Sequence, residues 1–213
     1  VTVNVTDAEG TAIDGATATI ALSHDMKATG GAVTNAILCP NVNATANEDI
    51  IFTLTVTGLP DGFTFDNVEA TTWALNSGGN RQELNDGVDR LWNLGLEQGA
   101  DEASLAAWAT LTDYELNNAQ PSKPLFEGTS VTTDGTLSLR LTAAKGTTNG
   151  GCFFGLEDLT LSAGDAGGET PEEPDDDAVS FRVDMQNGSL ATGTGSSEYS
   201  NLWSSTQIDP QLT

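Results

Sequence analysis

Apolar and polar side chains alternate with a period of two in Asp49-Ile-Ile-Phe-Thr-Leu-Thr-Val-Thr57. That period puts Phe52, Leu54 and Val56 on one face of a β-strand and the threonines on the other. Gly58-Leu-Pro-Asp-Gly62, which follows, has the composition of a turn. Leu137, Leu139 and Leu141 alternate in the same way within a strand predicted over 135–143, and further strands are predicted over 67–75, 90–96 and 152–161. Residues 1–6 and 17–22 read as two strands about a turn at 7–10. Residues 101–118 fit two patterns: the Ala and Leu spacing permits a helix, whereas Trp108-Ala-Thr-Leu-Thr112 suits a strand.

Composition agrees with strands. Threonine is frequent, and aromatics are only 6% of the 213 residues, so the apolar content is light but sufficient for a core. The chain is predicted to be all-β, an antiparallel, jelly-roll-like β-sandwich with an incomplete second β module at the C-terminus. Residues 1–22 read as an N-terminal hairpin or partial immunoglobulin-like segment, and 23–163 as the sandwich module. Residues 164–178, rich in Pro, Gly and acids, read as a linker, and 179–213 as the start of a truncated second module. The chain opens directly in one strand pattern and stops in another, so it is expected to be a piece of a longer precursor.

Charge narrows the partners. Thirty-one acids stand against seven Lys and Arg, a formal net charge of -24. Such a surface repels phosphate backbones and anionic membrane faces, so neither nucleic acid nor membrane insertion is expected. Cys39 and Cys152 are the two cysteines, near the start and the end of the sandwich region. First and last strands often lie side by side in a sandwich, which favours a disulfide between them; the alternative is a pair of buried free thiols.

Signs of catalysis are weak. The single histidine, His24, lies in Ser23-His-Asp25, where strand geometry turns the neighbouring side chains away from it, so a surface or turn histidine is the simpler reading. Glu69, Glu83, Glu97, Glu115, Glu127 and Glu157 all suit a glycosidase pair by type, and nothing singles one out. The chain is expected not to be an enzyme itself.

Three phrases resemble known proteins. Val5-Thr-Asp-Ala-Glu-Gly-Thr-Ala-Ile-Asp-Gly-Ala16 resembles the start of small immunoglobulin-like or transthyretin-like repeats of bacterial surface proteins. Tyr199-Ser-Asn-Leu-Trp-Ser-Ser-Thr-Gln-Ile-Asp-Pro-Gln-Leu-Thr213 resembles the opening of accessory domains in Bacteroidetes-type secreted glycoside hydrolases, sialidases among them. Gly151-Cys-Phe-Phe-Gly-Leu-Glu-Asp-Leu-Thr-Leu161 looks like the closing strand of jelly-roll modules from similar proteins. The resemblance implies a carbohydrate-binding or accessory module of an extracellular or cell-surface protein, working beside a catalytic or other domain of the parent chain. A structural spacer or adhesin-like stalk is the competing reading. It also implies a structural calcium, with Asn47, Asp49, Glu157 and Asp158 as the candidate ligands. Sugar binding calls for an exposed aromatic face ringed by planar polar groups. Trp73 with Asn76, Asn80, Arg81 and Gln82 fits that demand, and Arg81 suits a carboxylated sugar; the simpler reading makes Trp73 and Trp92 core anchors in strands and Asn80-Arg81 a solvent loop. Trp108, Trp92 and Trp203 are the other tryptophans, with Trp108 the least regular in its spacing.

Overall fold

In the computed structural model, residues 2–7, 11–28, 37–82, 89–116, 121–163 and 181–184 are described. They form ten strands: β1 (Thr2–Asp7), β2 (Ala12–Leu22), β3 (Ile50–Thr57), β4 (Thr64–Leu75), β5 (Arg90–Gly99), β6 (Ala106–Glu115), β7 (Leu125–Thr132), β8 (Thr136–Asn149), β9 (Phe153–Ser162) and β10 (Phe181–Asp184). Every pairing is antiparallel, in the order β6-β5-β8-β3-β2-β1-β10-β9-β4-β7. That continuous order folds over into a β-sandwich. Phe154 of β9 meets Phe52 of β3 at 5.9 Å and Trp92 of β5 at 5.3 Å, between ring centroids across the core.

The period-two reading of the first layer holds. Phe52, Leu54 and Val56 are buried, and so are Leu137, Leu139 and Leu141 opposite them. The turn after β3 needs its glycines, since Gly58 and Gly62 take φ of 76° and 80°. Of residues 101–118, the described part, 101–116, resolves in favour of a strand. Asp101 and Ser104 cap each other in a single turn of 3-10 helix, Glu102–Ser104, and β6 then runs to Glu115.

The second layer departs from simple alternation. In β4 the six residues from Ala70 to Leu75 are all buried, and in β9 so are the four from Phe153 to Leu156. Both faces are covered there, because residues 37–44 lie along β9. Leu38 N–H donates to Leu156 O at 2.8 Å and receives the reciprocal bond at 2.9 Å, while Ala44 N–H reaches Cys152 O. Ile37 presses directly on Gly155, where an added Cβ would fall 2.5 Å from its methyl. Ile37, Cys39, Trp73, Leu75 and Phe153 thus make a second, outer apolar cluster apart from the main core.

The pairings also bear on the segments at each end. β2 pairs with β3 along six positions, so the N-terminal hairpin continues the first layer. Phe181–Asp184, expected to open a second module, pairs with β1 on one side and β9 on the other. The linker at 164–178 and the rest of 179–213, Trp203 included, lie outside the described residues.

The expected disulfide is not formed: Cys39 and Cys152 are both buried free thiols. Cys152 belongs to the main core and Cys39 to the outer cluster, so the two thiols serve different packing layers.

Candidate functional site

The outer cluster is where the sequence candidates gather. Trp73 and Leu75, two apart on β4, face the same side as their β9 partners Gly155 and Phe153. The register between β4 and β9 slips at Thr71 and Thr72, which pair with Asp158 and Leu156, leaving Glu157 as the extra residue of a bulge. The bulge aims its carboxylate at the tryptophan: Trp73 Nε1–H donates to Glu157 Oε2 at 2.6 Å. Trp73 is only 2% exposed, so it is an anchor and not a platform for a sugar.

Arg81 lies over that anchor. The chain leaving β4 turns at Asn76, whose side-chain oxygen accepts from Gly78 N–H at 2.9 Å and Asn80 N–H at 3.1 Å. Gly79, at φ 76°, completes the reversal, and Asn76 N–H donates to Asn80 O. The returning strand pairs Arg81 with Leu75 and donates from Gln82 N–H to Ala74 O. Arg81 therefore shares a row with Leu75 and Phe153, and its guanidinium carbon sits 3.8 Å from the centre of the Trp73 ring. The exposed guanidinium thus lies over the Trp73 ring, a cation–π contact.

A second cation repeats the arrangement. Lys27 N–H is bonded to Cys39 O at 2.7 Å, which brings Lys27 Nζ to 4.3 Å from the centre of the Phe153 ring. Neither Lys27 nor Arg81 has an acidic partner within salt-bridge distance among the described residues. The sequence reading missed Lys27. The readable signal was the run of adjacent apolar residues, Trp73-Ala-Leu75 and Phe153-Phe154, which requires cover on both faces of the sheet.

The remaining candidates divide. Asn76 holds the turn, and Asn80 is exposed at its tip. Gln82 Oε1 is taken by the buried Arg90, whose Nε donates to it, so Gln82 is structural. Trp108 is not brought to this site. It stands edge-on to Phe65 at 5.7 Å and donates from Nε1 to Thr129 O at 2.9 Å. Phe65 and Trp73 are eight positions apart on β4, roughly 26 Å along the strand. Trp92 is fully buried in the main core, its Nε1 without a hydrogen-bond partner among the described residues.

The four calcium candidates lie on different elements. Asn47 (φ 59°) ends the 3-10 turn Ala44–Ala46, with Asp49 exposed nearby, whereas Glu157 binds Trp73 and Asp158 is buried in β9. Among the described residues no three His, Cys, Asp or Glu gather so as to hold a metal ion.

His24 makes a relay with Glu48, not Asp25. Its Nδ1 lies 2.7 Å from Ser23 Oγ and its Nε2 3.2 Å from Glu48 Oε2. Ser23 is occupied by the fold: Oγ accepts from Ile51 N–H, and Ser23 N–H donates to Ile51 O. The carboxyl shifts that stand out run against general-acid chemistry. A hydrogen bond from Arg140 holds Glu97 below its usual range, and hydrogen bonds from Ser104 do the same to Asp101. Among the described residues no helix is long and apolar enough to cross a membrane.

No family model matches the chain and no curated protein sequence does. Solved structures similar to it include a family 61 carbohydrate-binding module in complex with β-1,4-galactotriose, at 14% identity and a TM-score of 0.36, covering 66% of this chain and 85% of that one. A pectin-binding carbohydrate-binding module is 10% identical with a TM-score of 0.36, over 73% of this chain and 94% of that one. A chitosan-binding module from a chitosanase/glucanase of Paenibacillus sp. IK-5 is 14% identical with a TM-score of 0.34, over 67% and 92%. Scores at this level assign neither a ligand nor a site residue to the chain.

Proposed function

We propose that the chain is a non-catalytic, glycan-binding accessory module of an extracellular protein, and that it takes its ligand on the outer face of β4 and β9. The observation that carries this is the exposed Arg81 guanidinium seated on Trp73, next to the Asn76–Asn80 turn. A stacked guanidinium is oriented before the ligand arrives, so little side-chain entropy is lost when its N–H groups bond to hydroxyl or carboxylate oxygens. The exposed Asn80 adds a planar donor and acceptor at the rim.

The competing reading, a spacer without a ligand, has its own observation. Leu125, at 43%, is the one exposed large hydrophobic side chain among the described residues, and Trp73, Trp92 and Phe154 are buried. A glycan-array screen of the whole chain beside Arg81→Ala separates the two. Binding that disappears in the variant, with an unchanged circular dichroism spectrum, supports the module. Absence of any hit with the folded wild-type chain favours the spacer.

A further inference from the structure

Lys27 and Arg81 are two of only seven basic residues in a chain with thirty-one acids. Each sits over an aromatic ring of the same five-residue cluster, and neither meets an acid within 4.0 Å among the described residues. By contrast Arg140, elsewhere on the molecule, is paired with Glu97. Among the described residues, the Glu157 carboxylate meets the cluster at the Trp73 indole N–H.

The sheet also sets the backbone spacing beneath the two cations. Arg81 and Phe153 flank Leu75 in one row, two inter-strand steps apart or roughly 10 Å. Lys27 rides on the Phe153 end of that row and Arg81 on the Trp73 side. Aromatic rings beneath the cations hold them in place without neutralising them, which an acid would do. This is a pair of positive groups held on rings, Arg81 exposed and Lys27 half-buried, on an otherwise repelling surface.

Resting on the glycan-binding reading above, we propose that the ligand is a polyanionic glycan, and that two of its acid groups engage Arg81 and Lys27 together. Arg81 suits a planar, bidentate acceptor and Lys27 a point charge, so the pair recognises anionic substituents held along a chain. The net charge of -24 selects further. An anionic polymer without groups at this spacing meets only repulsion, which reaches about 8 Å at physiological ionic strength.

The test is an array of carboxylated, sulfated and neutral glycans, with poly-glutamate as a peptide control, probed with the whole chain and with Lys27→Gln and Arg81→Gln. Far- and near-ultraviolet circular dichroism checks that each variant is folded. The expected result is binding confined to acidic glycans and weakened about 10- to 100-fold by either substitution. Whether carboxylated or sulfated chains respond identifies the acid group. Binding to neutral glycans, or acidic binding indifferent to Lys27, overturns the proposal and leaves the glycan-binding reading standing. Equal binding of poly-glutamate overturns glycan selection. No binding to any glycan by the folded chain overturns both.

Discussion

Trp108 on β6 lies against the backbone of Gly128 on β7, so close that an added Cβ would fall 2.3 Å from its Cε2. The two strands are the outermost of the hydrogen-bonded order, and this contact, with the indole N–H on Thr129 O, fastens one layer's edge to the other's. Gly128→Ala forces the indole off Thr129 O or off Phe65, and is expected to cost about 1–3 kcal/mol. Gly95→Ala is the control, because nothing lies within 4 Å of a Cβ there. Urea midpoints for the two variants check the argument; equal losses would mean that the Trp108 contact is not what makes Gly128 necessary.

The Glu157 carboxylate has a structural duty before it has any other. Glu157→Leu leaves the buried Trp73 N–H without an acceptor and is expected to destabilise by about 1–3 kcal/mol. Glu157→Gln keeps an acceptor oxygen and should lose distinctly less. Tryptophan fluorescence during unfolding reads both. If the two variants lose the same amount, the hydrogen bond is not the source of the effect.

Cys39 makes stability fall at alkaline pH. Burial pushes its thiol up to about 12 from 9.0, with Lys27 pulling it down and Cys152 adding to the rise. The unfolded chain gives up that proton near pH 9 while the folded chain holds it to about pH 12. The folded state therefore binds more protons across this window and loses up to about 1.4 kcal/mol per pH unit as pH rises. Tyr114, raised by burial against a hydrogen bond with Ser122, adds a slope of the same sign higher up. Cys39→Ala should flatten the dependence of the urea midpoint between pH ~9 and ~10.5. An unaltered slope would place the alkaline sensitivity elsewhere.

Where one face of a strand is wet, the sequence was readable. β3 and the Leu137-to-Leu141 part of β8 alternate cleanly, and the structure places them as the pattern implies. The loop at Asn76–Gln82 was legible too, because Gly-Gly-Asn after an apolar run has few other uses. Trp73 was harder. A tryptophan in a strand can point to either layer, and only the pairing of 37–44 along β9 shows that the outer side is roofed. β7 escaped the periodic reading, since Leu125–Thr132 is an edge strand with a single fully buried side chain, Phe126. Lys27 over Phe153 joins residues 126 positions apart, a relationship that no local spacing encodes.

The place of β10 carries a practical consequence for shortened versions of the chain. Its four residues stand between β1 and β9, pairing Val5 to Asp7 on one side and Asp158 to Leu161 on the other. A fragment cut at residue 163, where the composition invites a boundary, would bare two strand edges at once. Unpaired N–H and C=O groups on facing edges are templates for another molecule's strands. Such a fragment is expected to form soluble oligomers or precipitate at concentrations where the chain carrying Phe181–Asp184 stays dispersed.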